Sequence, residues 1–473
     1  MKKYDLVIIG AGSGGLTVAE YASQLGASVA LIEKADSLGG DRLNGGCVPS
    51  KALIHAAKTF YRAGHGAEFG VNAYPELDFE QLKASIEAAR NRIRTYRDND
   101  KYYQQLGVDI YHEHARFIST SKLRAGAHEI VGKHFIIATG SKPRIPAIPG
   151  LAKADYYTNE TIFDISALPR RMAVIGGGVI GCEIASAFNQ IGSEVTIYEK
   201  YDHLSLRVDK PIAEFVAGRF VKRNMKVRTH SAITEIKNTK RGNKIDFTIN
   251  GEPQHQFVDA IFIASGRLPS LDIGLENAGV KFNDRAIEID KFGRTSNKRI
   301  WAIGDVTATA GFTHVAAEQG FYATLHALFG YRHEVKLHIL PYVIYTSPEV
   351  AHVGKTSKQL QDEGIEHTVR TLDYTQIDRA MIENKGGLIQ VSLNKNDQLL
   401  GATMVGSHAS EQIGQYVVAM NHDLRMSDFA SAILPYPTYA MATKQIAAEY
   451  LLEKTFKSNL TKKAVNAARM IRR

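Results

Sequence analysis

The stretch Tyr4-Asp5-Leu6-Val7-Ile8-Ile9-Gly10-Ala11-Gly12-Ser13-Gly14-Gly15 decides the fold, because an apolar run of strand character closes there on a glycine-rich turn. A helical stretch follows, then a second apolar run from Ala27 to Ile32 that ends at Glu33. The pattern returns later in the chain. Met172 to Ile175 enters Gly176-Gly177-Gly178-Val179-Ile180-Gly181, another helical stretch follows, and Glu194 to Tyr198 ends at Glu199. In both copies the acid stands 23 residues after the first glycine, from Gly10 to Glu33 and from Gly176 to Glu199.

Each copy reads as a dinucleotide-binding fingerprint. Gly10 and Gly176 permit the tight turn, Gly12 and Gly178 let backbone approach a diphosphate, and Gly15 and Gly181 let helix pack close to strand. The diphosphate rests at the helix N-terminus, where unpaired N–H groups and the helix dipole favour negative charge. Glu33 and Glu199 are placed to accept hydrogen bonds from ribose hydroxyls. One such motif is weak evidence, whereas two copies with the acid at the same distance are hard to obtain by chance.

The bulk properties are those of an ordinary globular chain of two to four domains: 473 residues, 44% apolar and 23% charged. No apolar stretch is long enough to span a membrane as a helix. The run Leu6 to Ile9 ends in a glycine turn rather than a cleavage site, so it reads as a buried strand and not as a signal peptide. Two cysteines, Cys47 and Cys182, are too few for a secreted disulfide framework, which makes the cytoplasm the expected location. The net charge of +9 is concentrated at the C-terminus, where residues 453–473 hold seven Lys or Arg and one acid. Leu452, Phe456, Leu460, Ala464, Ala468 and Ile471 recur there at helical spacing. The plain reading of this tail is a solvated terminal helix, and the alternative is weak contact with an anionic membrane surface. No nucleic-acid motif is present, and no metal site is expected.

Further along the first copy lies Gly39-Gly40-Asp41-Arg42-Leu43-Asn44-Gly45-Gly46-Cys47-Val48-Pro49-Ser50-Lys51. This run resembles the active-site segment of the pyridine nucleotide-disulfide oxidoreductases, in which positions 42 and 47 are both Cys. Phe135-Ile136-Ile137-Ala138-Thr139-Gly140 and Ile261-Phe262-Ile263-Ala264-Ser265-Gly266 are similar to the strands of that family that pass close to a cofactor, and Ile303-Gly304-Asp305 resembles its flavin-side Gly-Asp. The resemblance extends over nearly the whole chain and implies an α/β fold with two Rossmann-like dinucleotide-binding domains. The FAD-binding domain would comprise residues 1–150 and 271–335, and the NAD(P)H-binding domain residues 151–270. An α+β dimerisation domain would follow over residues 336–473, opening with Pro341-Tyr342-Val343-Ile344-Tyr345-Thr346 and holding a strand at Gly401 to Gly406. A homodimer is implied.

The resemblance also assigns candidate residues. FAD would be held by Gly10, Gly12, Gly15, Glu33, Gly40, Lys51, Ala115, Ala138, Thr139, Gly140, Gly304 and Asp305. The nicotinamide cofactor would be held by Gly176, Gly178, Gly181, Glu199 and Gly266, with NADH preferred over NADPH because Glu199 repels a 2′-phosphate. Lys200 and Arg207 are basic residues that would soften that preference. Cys47 matches the cysteine nearer the flavin. Lys51, four residues on and so on the same helical face, would approach the flavin and pair with Glu183. Cys182 reads as a small buried hydrophobe.

Two departures decide the expected chemistry. Arg42 cannot form a disulfide with Cys47, and a guanidinium beside that thiol is expected to favour the thiolate. In Leu434-Pro435-Tyr436-Pro437-Thr438-Tyr439-Ala440-Met441, Tyr436 and Met441 stand where thiol-reducing members carry a His and a Glu. A tyrosine, with a reference pKa near ~10, is a poor general base at neutral pH. The catalytic candidates are therefore Cys47, Lys51, Glu183, Arg42 and Tyr436, with Arg42, Cys47, Tyr436 and Tyr439 of the partner chain, and Met441 expected around an acceptor cavity. These features imply an FAD-dependent NAD(P)H oxidoreductase that gives electrons directly to a quinone-like or other small acceptor. Two alternatives stand beside it: single-cysteine thiol or peroxide chemistry at Cys47, and a catalytically poor flavoprotein that acts as redox sensor or scaffold.

Overall fold

The structure is a computed structural model, and it describes residues 2–307, 309, 311–456 and 467. Most of the basic C-terminal tail, including Leu460, Ala464, Ala468 and Ile471, therefore lies outside the described residues. The chain divides into two compact units, Met1–Lys200 with Arg228–Val335, and Tyr201–Val227 with Lys336–Arg473.

The first unit opens with β1 (Lys2–Ile9), α1 (Ser13–Gln24) and β2 (Val29–Glu33). Leu6, Val7 and Ile8 are fully buried. The cause is position: β1 pairs in parallel with β2 on one side and with the strand His128–Ile137 on the other. A central parallel strand is covered on both faces, so it reads as an unbroken apolar run rather than an alternation. Val108–His112 continues the parallel sheet beyond β2, and Ile300–Ala302 continues it beyond His128–Ile137. Ile9 stands level with both Ile32 and Ile137, so three strands end together at the Gly10 turn. Ala115–Ser119 and Lys122–Ala125 extend the sheet as antiparallel strands.

Small residues let two helices approach to backbone contact on one face of this sheet. A Cβ placed on Gly320, in the helix Thr313–Phe329, would sit 2.9 Å from the Gly14 carbonyl oxygen in α1. At the N-terminal ends of the same two helices, Ser13 Oγ donates to the Thr313 carbonyl at 3.2 Å.

The second fingerprint repeats the arrangement within the same unit. Arg171–Ile175 pairs in parallel with Glu194–Tyr198 and with Ala260–Ile263, and the helix Val179–Gln190 follows the glycine turn. Tyr156–Tyr157 lies outside Ala260–Ile263. Ser231–Thr239, Gly242–Ile249 and Glu252–Val258 form a separate antiparallel sheet.

The second unit is built on an antiparallel sheet in the order Pro341–Ile344, Glu349–Gly354, Leu399–Gly406, Leu388–Leu393, Thr368–Asp373. Helices Ala409–Asn421 and Met441–Phe456 contribute Ile413, Tyr416, Ala442 and Ile446 to its core. The strand expected at Gly401 to Gly406 is present within Leu399–Gly406, and Pro341–Ile344, in the segment expected to open this part, is a strand as well. The segment Tyr201–Val227 groups with this unit: Asp209 accepts from Ser357 N and Lys358 N at 3.0 and 2.9 Å.

Candidate functional site

Gly10 and Gly176 adopt φ of +100° and +110°, and a Cβ on either would sit 2.4 Å from a carbonyl oxygen, that of Ala138 or Ala264. Only glycine fits both the dihedral and the space. Gly12 is different, because a Cβ there would meet nothing within 4 Å. Gly12 caps α1, so its open side borders the helix N-terminus where a diphosphate is stabilised. A Cβ on Gly40 would lie 2.7 Å from Gly12 Cα, which makes Gly40 one wall of the same space. The cradle thus fits the diphosphate of a dinucleotide, with the residues expected around it.

The two acids at the strand ends behave alike. Glu33 Oε2 accepts from Ala11 N at 2.7 Å, and Glu199 Oε2 accepts from Gly177 N at 2.9 Å, each from the residue after its first glycine. Glu33 Oε1 also accepts from Ala35 N at 3.0 Å. Both carboxylates are buried, at 9% and 4% exposure, so each fixes the shape of its turn. A carboxylate has about four acceptor positions, and Glu33 fills two of them with the Ala11 and Ala35 amides. Arg207 belongs to the second unit, where its carbonyl accepts from Tyr342 Oη.

Residues distant in sequence meet at a third point of the first unit. Ser141 Oγ donates to Asp305 Oδ2 at 2.5 Å and accepts from Arg267 Nε at 2.7 Å. Arg267 also donates to Asn159 Oδ1 at 3.0 Å and pairs with Asp41 at 3.2 Å. Burial pushes the Asp41 carboxyl up, opposed by the Arg267 charge. Thr139 Oγ1 donates to the Ser270 carbonyl at 2.7 Å, and Gly140 accepts from Ser270 N at 3.0 Å. Gly304 N donates to Gln319 Oε1 at 2.8 Å, Ala115 is buried at the start of its strand, and Gly266 accepts from Arg144 N at 2.9 Å. Gly15 and Gly181 close their turns against the carbonyls of Gly10 and Gly176, and Gly178 caps the helix Val179–Gln190. Sequence reasoning singled out Asp305 but passed over Asp41, Asn159, Ser141 and Arg267. Arg267, a lone charge beside a strand ending in Gly266, was the available signal.

The segment after Gly39 forms two helices, α2 (Gly40–Asn44) and α3 (Cys47–Ala63). Cys47 is the exposed first residue of α3, and its Sγ lies 3.2 Å from Thr313 Oγ1. One turn on, Lys51 Nζ donates to Glu183 Oε2 at 2.8 Å, an ion pair whose carboxylate side chain is 5% exposed. The expected pairing of Lys51 with Glu183 is therefore present.

Arg42 differs from its expectation. The sequence suggested a guanidinium serving Cys47, but Arg42 Nη2 donates to Asp98 Oδ2, and Thr313 is the hydrogen-bond partner of Cys47. The reason is that Asp98 is almost wholly buried, at 2% exposure, and a buried carboxylate requires a cation. Burial pushes the Asp98 carboxyl up, the Arg42 and Arg97 charges hold it down, and Glu20 adds to the rise. Arg42, Asp98, Ser13, Thr17, Thr313 and His314 border a cleft of about 300 Å³. Asp98 lies in Arg97-Asp98-Asn99-Asp100, a stretch without any motif, so nothing local announced it.

Cys182 is fully buried, and burial pushes its thiol up, as expected of a small core residue. In the second unit Tyr436 is 69% exposed and donates to Asp378 Oδ2 at 2.8 Å. That hydrogen bond, followed by the Asp378 charge, raises the phenol further from the neutral range. Tyr439 does not line an open cavity as expected. It is 5% exposed within the core of this unit, with its hydroxyl on Glu383 Oε2 at 2.9 Å. Its ring is apolar enough for the core, and Glu383 satisfies its one polar atom. Met441 opens the last described helix.

Comparison with known proteins agrees with this geometry. Residues 4–320 match the family described as pyridine nucleotide-disulphide oxidoreductase, and residues 340–447 match its dimerisation domain. The chain belongs to the pyridine nucleotide-disulphide oxidoreductases. It is 34% identical over 472 residues to a mercuric reductase of Streptomyces lividans, covering 97% of each chain. It is 32% identical over 466 residues to dihydrolipoyl dehydrogenase 3 of Pseudomonas putida, covering 94% of this chain and 98% of that one. Among solved structures, the HOCl-induced flavoprotein disulfide reductase RclA from Escherichia coli superposes with a TM-score of 0.84 at 27% identity, covering 94% of this chain and 99% of that one. The chain is thus a flavin-dependent pyridine nucleotide oxidoreductase of α/β architecture with a C-terminal dimerisation domain, which supports a homodimer. The family uses FAD and a pyridine nucleotide. Among the described residues, no helix is long and apolar enough to cross a membrane, and no cluster of side chains suits a metal ion.

Proposed function

We propose that the chain is an FAD-dependent NADH oxidoreductase that passes electrons from reduced flavin directly to a quinone-like small acceptor, with no redox disulfide between them. The observation that carries this reading is the Arg42–Asp98 pair: position 42 holds a guanidinium committed to a buried carboxylate, and Cys47 and Cys182 are both free. FAD would be held by the Gly10–Gly15 turn, Glu33, Gly40 and Asp305, and NADH by the Gly176–Gly181 turn and Glu199, whose charge opposes a 2′-phosphate. The domain limits read from the sequence, the cytoplasmic location and a weak membrane contact of the tail belong to the same proposal.

Bound FAD supplies hydride acceptance from NADH and electron release to the acceptor. The chain's own contribution is to hold Lys51 on Glu183 at the start of α3, so that a cation stands on the cofactor side of Cys47. The test is steady-state NADH oxidation by the holoenzyme with a naphthoquinone, with lipoamide and with oxidised glutathione. Turnover with the quinone alone is expected, and turnover with either disulfide overturns the reading. A second reading, thiol or peroxide chemistry at Cys47, is favoured by the exposure of that thiol and its contact with Thr313. Cys47→Ser separates the two, since it abolishes thiol chemistry and does not abolish quinone reduction.

A further inference from the structure

His112 ends the strand Val108–His112, where it stands level with Glu33 at the end of β2. Its Nδ1 lies 2.7 Å from the Ala35 carbonyl oxygen, and its Nε2 lies 2.7 Å from Asp100 Oδ2 at the start of the helix Asp100–Gln105. A carbonyl and a carboxylate only accept, so both ring nitrogens must carry hydrogen, and an imidazole with two N–H groups is a cation. Loss of one proton would set a bare ring nitrogen against one of these two oxygens, two acceptors facing each other at 2.7 Å. The double contact therefore belongs to one protonation state and opens in the other.

The residue that His112 holds is joined to the first glycine turn. Ala35 N donates to Glu33 Oε1 at 3.0 Å, and Glu33 Oε2 accepts from Ala11 N, between Gly10 and Gly12, at 2.7 Å. Ala35 is thus fixed on both sides, its N–H by Glu33 and its carbonyl by His112. The series Asp100, His112, Ala35, Glu33, Ala11 runs from a helix start to the cradle. Burial disfavours the imidazolium, but the Ala35 carbonyl, the Asp100 bond and charge and the Glu33 charge outweigh it, so His112 titrates above its ordinary value of 6.5. Asp100 and Glu33 are the charges that act on the ring from the elements packed against it. Lys101 on the helix, Lys34 and Asp36 beside Ala35, and Glu113 next in the chain are exposed.

We propose that His112 is a positioning residue for FAD: as an imidazolium it clamps the Ala35 carbonyl to Asp100 and so holds Glu33 and the Gly10–Gly15 turn in the form that retains the cofactor, which makes FAD retention fall as the pH rises. The inference rests on the reading above that this turn and Glu33 hold FAD. A turn already held in its bound form has less conformational freedom to lose when the ligand arrives, and that difference appears as affinity. With the clamp open, Ala35 keeps only its bond to Glu33, and the turn must be ordered at the expense of the cofactor. His112 acts through Ala35 and Glu33 and takes no part in electron transfer.

The test is equilibrium release of FAD from the full-length holoenzyme on dilution, with free flavin measured in an ultrafiltrate between about pH 6 and about pH 9, the range that brackets a histidine. The wild type is expected to hold FAD about fivefold less tightly at the upper end, the scale of one partly exposed hydrogen bond to a charged group. His112→Gln has no titrating ring and is expected to bind FAD at the weaker level at both ends of the range. Asp100→Asn keeps the histidine and removes the carboxylate charge, so the midpoint of the loss is expected to move to lower pH. A His112→Gln protein that keeps the wild-type slope overturns the inference. So does an unmoved midpoint in Asp100→Asn, which decides alone should His112→Gln not fold. No electron acceptor enters these titrations. Turnover with a disulfide would therefore overturn the proposed electron path and leave the clamp standing, whereas wild-type FAD retention that ignores pH overturns the clamp and leaves the electron path standing.

Discussion

Two ion pairs start from the same short stretch of chain and differ in the kind of cation they hold. Lys51 on α3 reaches Glu183 in the second fingerprint helix, and Arg42 on α2 reaches Asp98 after the long helix Phe79–Tyr96. Both carboxylates are buried, at 5% and 2% side-chain exposure, while the cations are 34% and 17% exposed. Lys51–Glu183 bridges the two copies of the repeat, and its ammonium is a compact charge on a four-carbon stem. Arg42–Asp98 stays within the first copy and holds a rigid, planar group in one orientation. The same pairing of charges therefore involves a point charge in one case and a planar, directional group in the other.

The sharpest way to break this contrast is to remove each cation in turn. Lys51→Met is expected to slow flavin reduction by NADH about a hundredfold, the scale for losing a positioned charge at a reacting centre. Anaerobic stopped-flow bleaching of the flavin reads it directly. Arg42→Met is expected to leave far more of that rate, because its guanidinium is directed to Asp98. Equal losses in the two variants would mean that both pairs act on the same step.

Stability orders the two pairs the other way. Asp98→Ala leaves the guanidinium of Arg42 without its one carboxylate partner among the described residues, and removal of one member of a buried pair costs about 3 kcal/mol. Urea unfolding of the holoenzyme measures it. Replacing both members, as Arg42→Met with Asp98→Leu, is expected to recover most of that loss, because well-packed apolar groups are often as good as a buried ion pair. A double variant as unstable as Asp98→Ala would show that the pair itself stabilises the fold.

The contrast also shows what a sequence can and cannot disclose. Gly10, Glu33, Gly176 and Glu199 were legible because strand, turn, helix and acid lie within one local unit, and each spacing has a local cause. Lys51–Glu183 was legible through the resemblance, since α3 and the second fingerprint helix are both marked by motifs. Asp98 was not legible, because its role arises only where the loop after Phe79–Tyr96 folds against α2. Thr313, Asp41 and Arg267 were missed for the same reason: Cys47 lies 266 residues from Thr313, and Asp41 lies more than two hundred residues from Arg267, with no periodic signal between them. Tyr439 was misjudged because an aromatic residue next to a proline-rich turn suits a surface cavity and a core equally well until the packing is known.

The smallest expected effect is in the pH dependence of folding, and it comes from Asp98. The Asp98 carboxyl in the folded protein is held above its ordinary value of 3.8, chiefly by burial, with the Arg42 charge only partly opposing it. The folded state therefore binds a proton at Asp98 more readily than the unfolded chain does. Its contribution to stability is fully present below pH 3.8 and is lost as the pH rises through the folded-state value. Between those limits Asp98→Asn, which cannot titrate, is expected to gain stability relative to the wild type as the pH rises. Urea midpoints across the mildly acidic range, taken for both proteins at one ionic strength, read this difference. A wild type that instead gains stability relative to Asp98→Asn over that range would show that Arg42 outweighs burial. In that case Arg42–Asp98 would be a self-sufficient ion pair, and the orientation of the guanidinium would follow from its own energy rather than from the packing around Asp98.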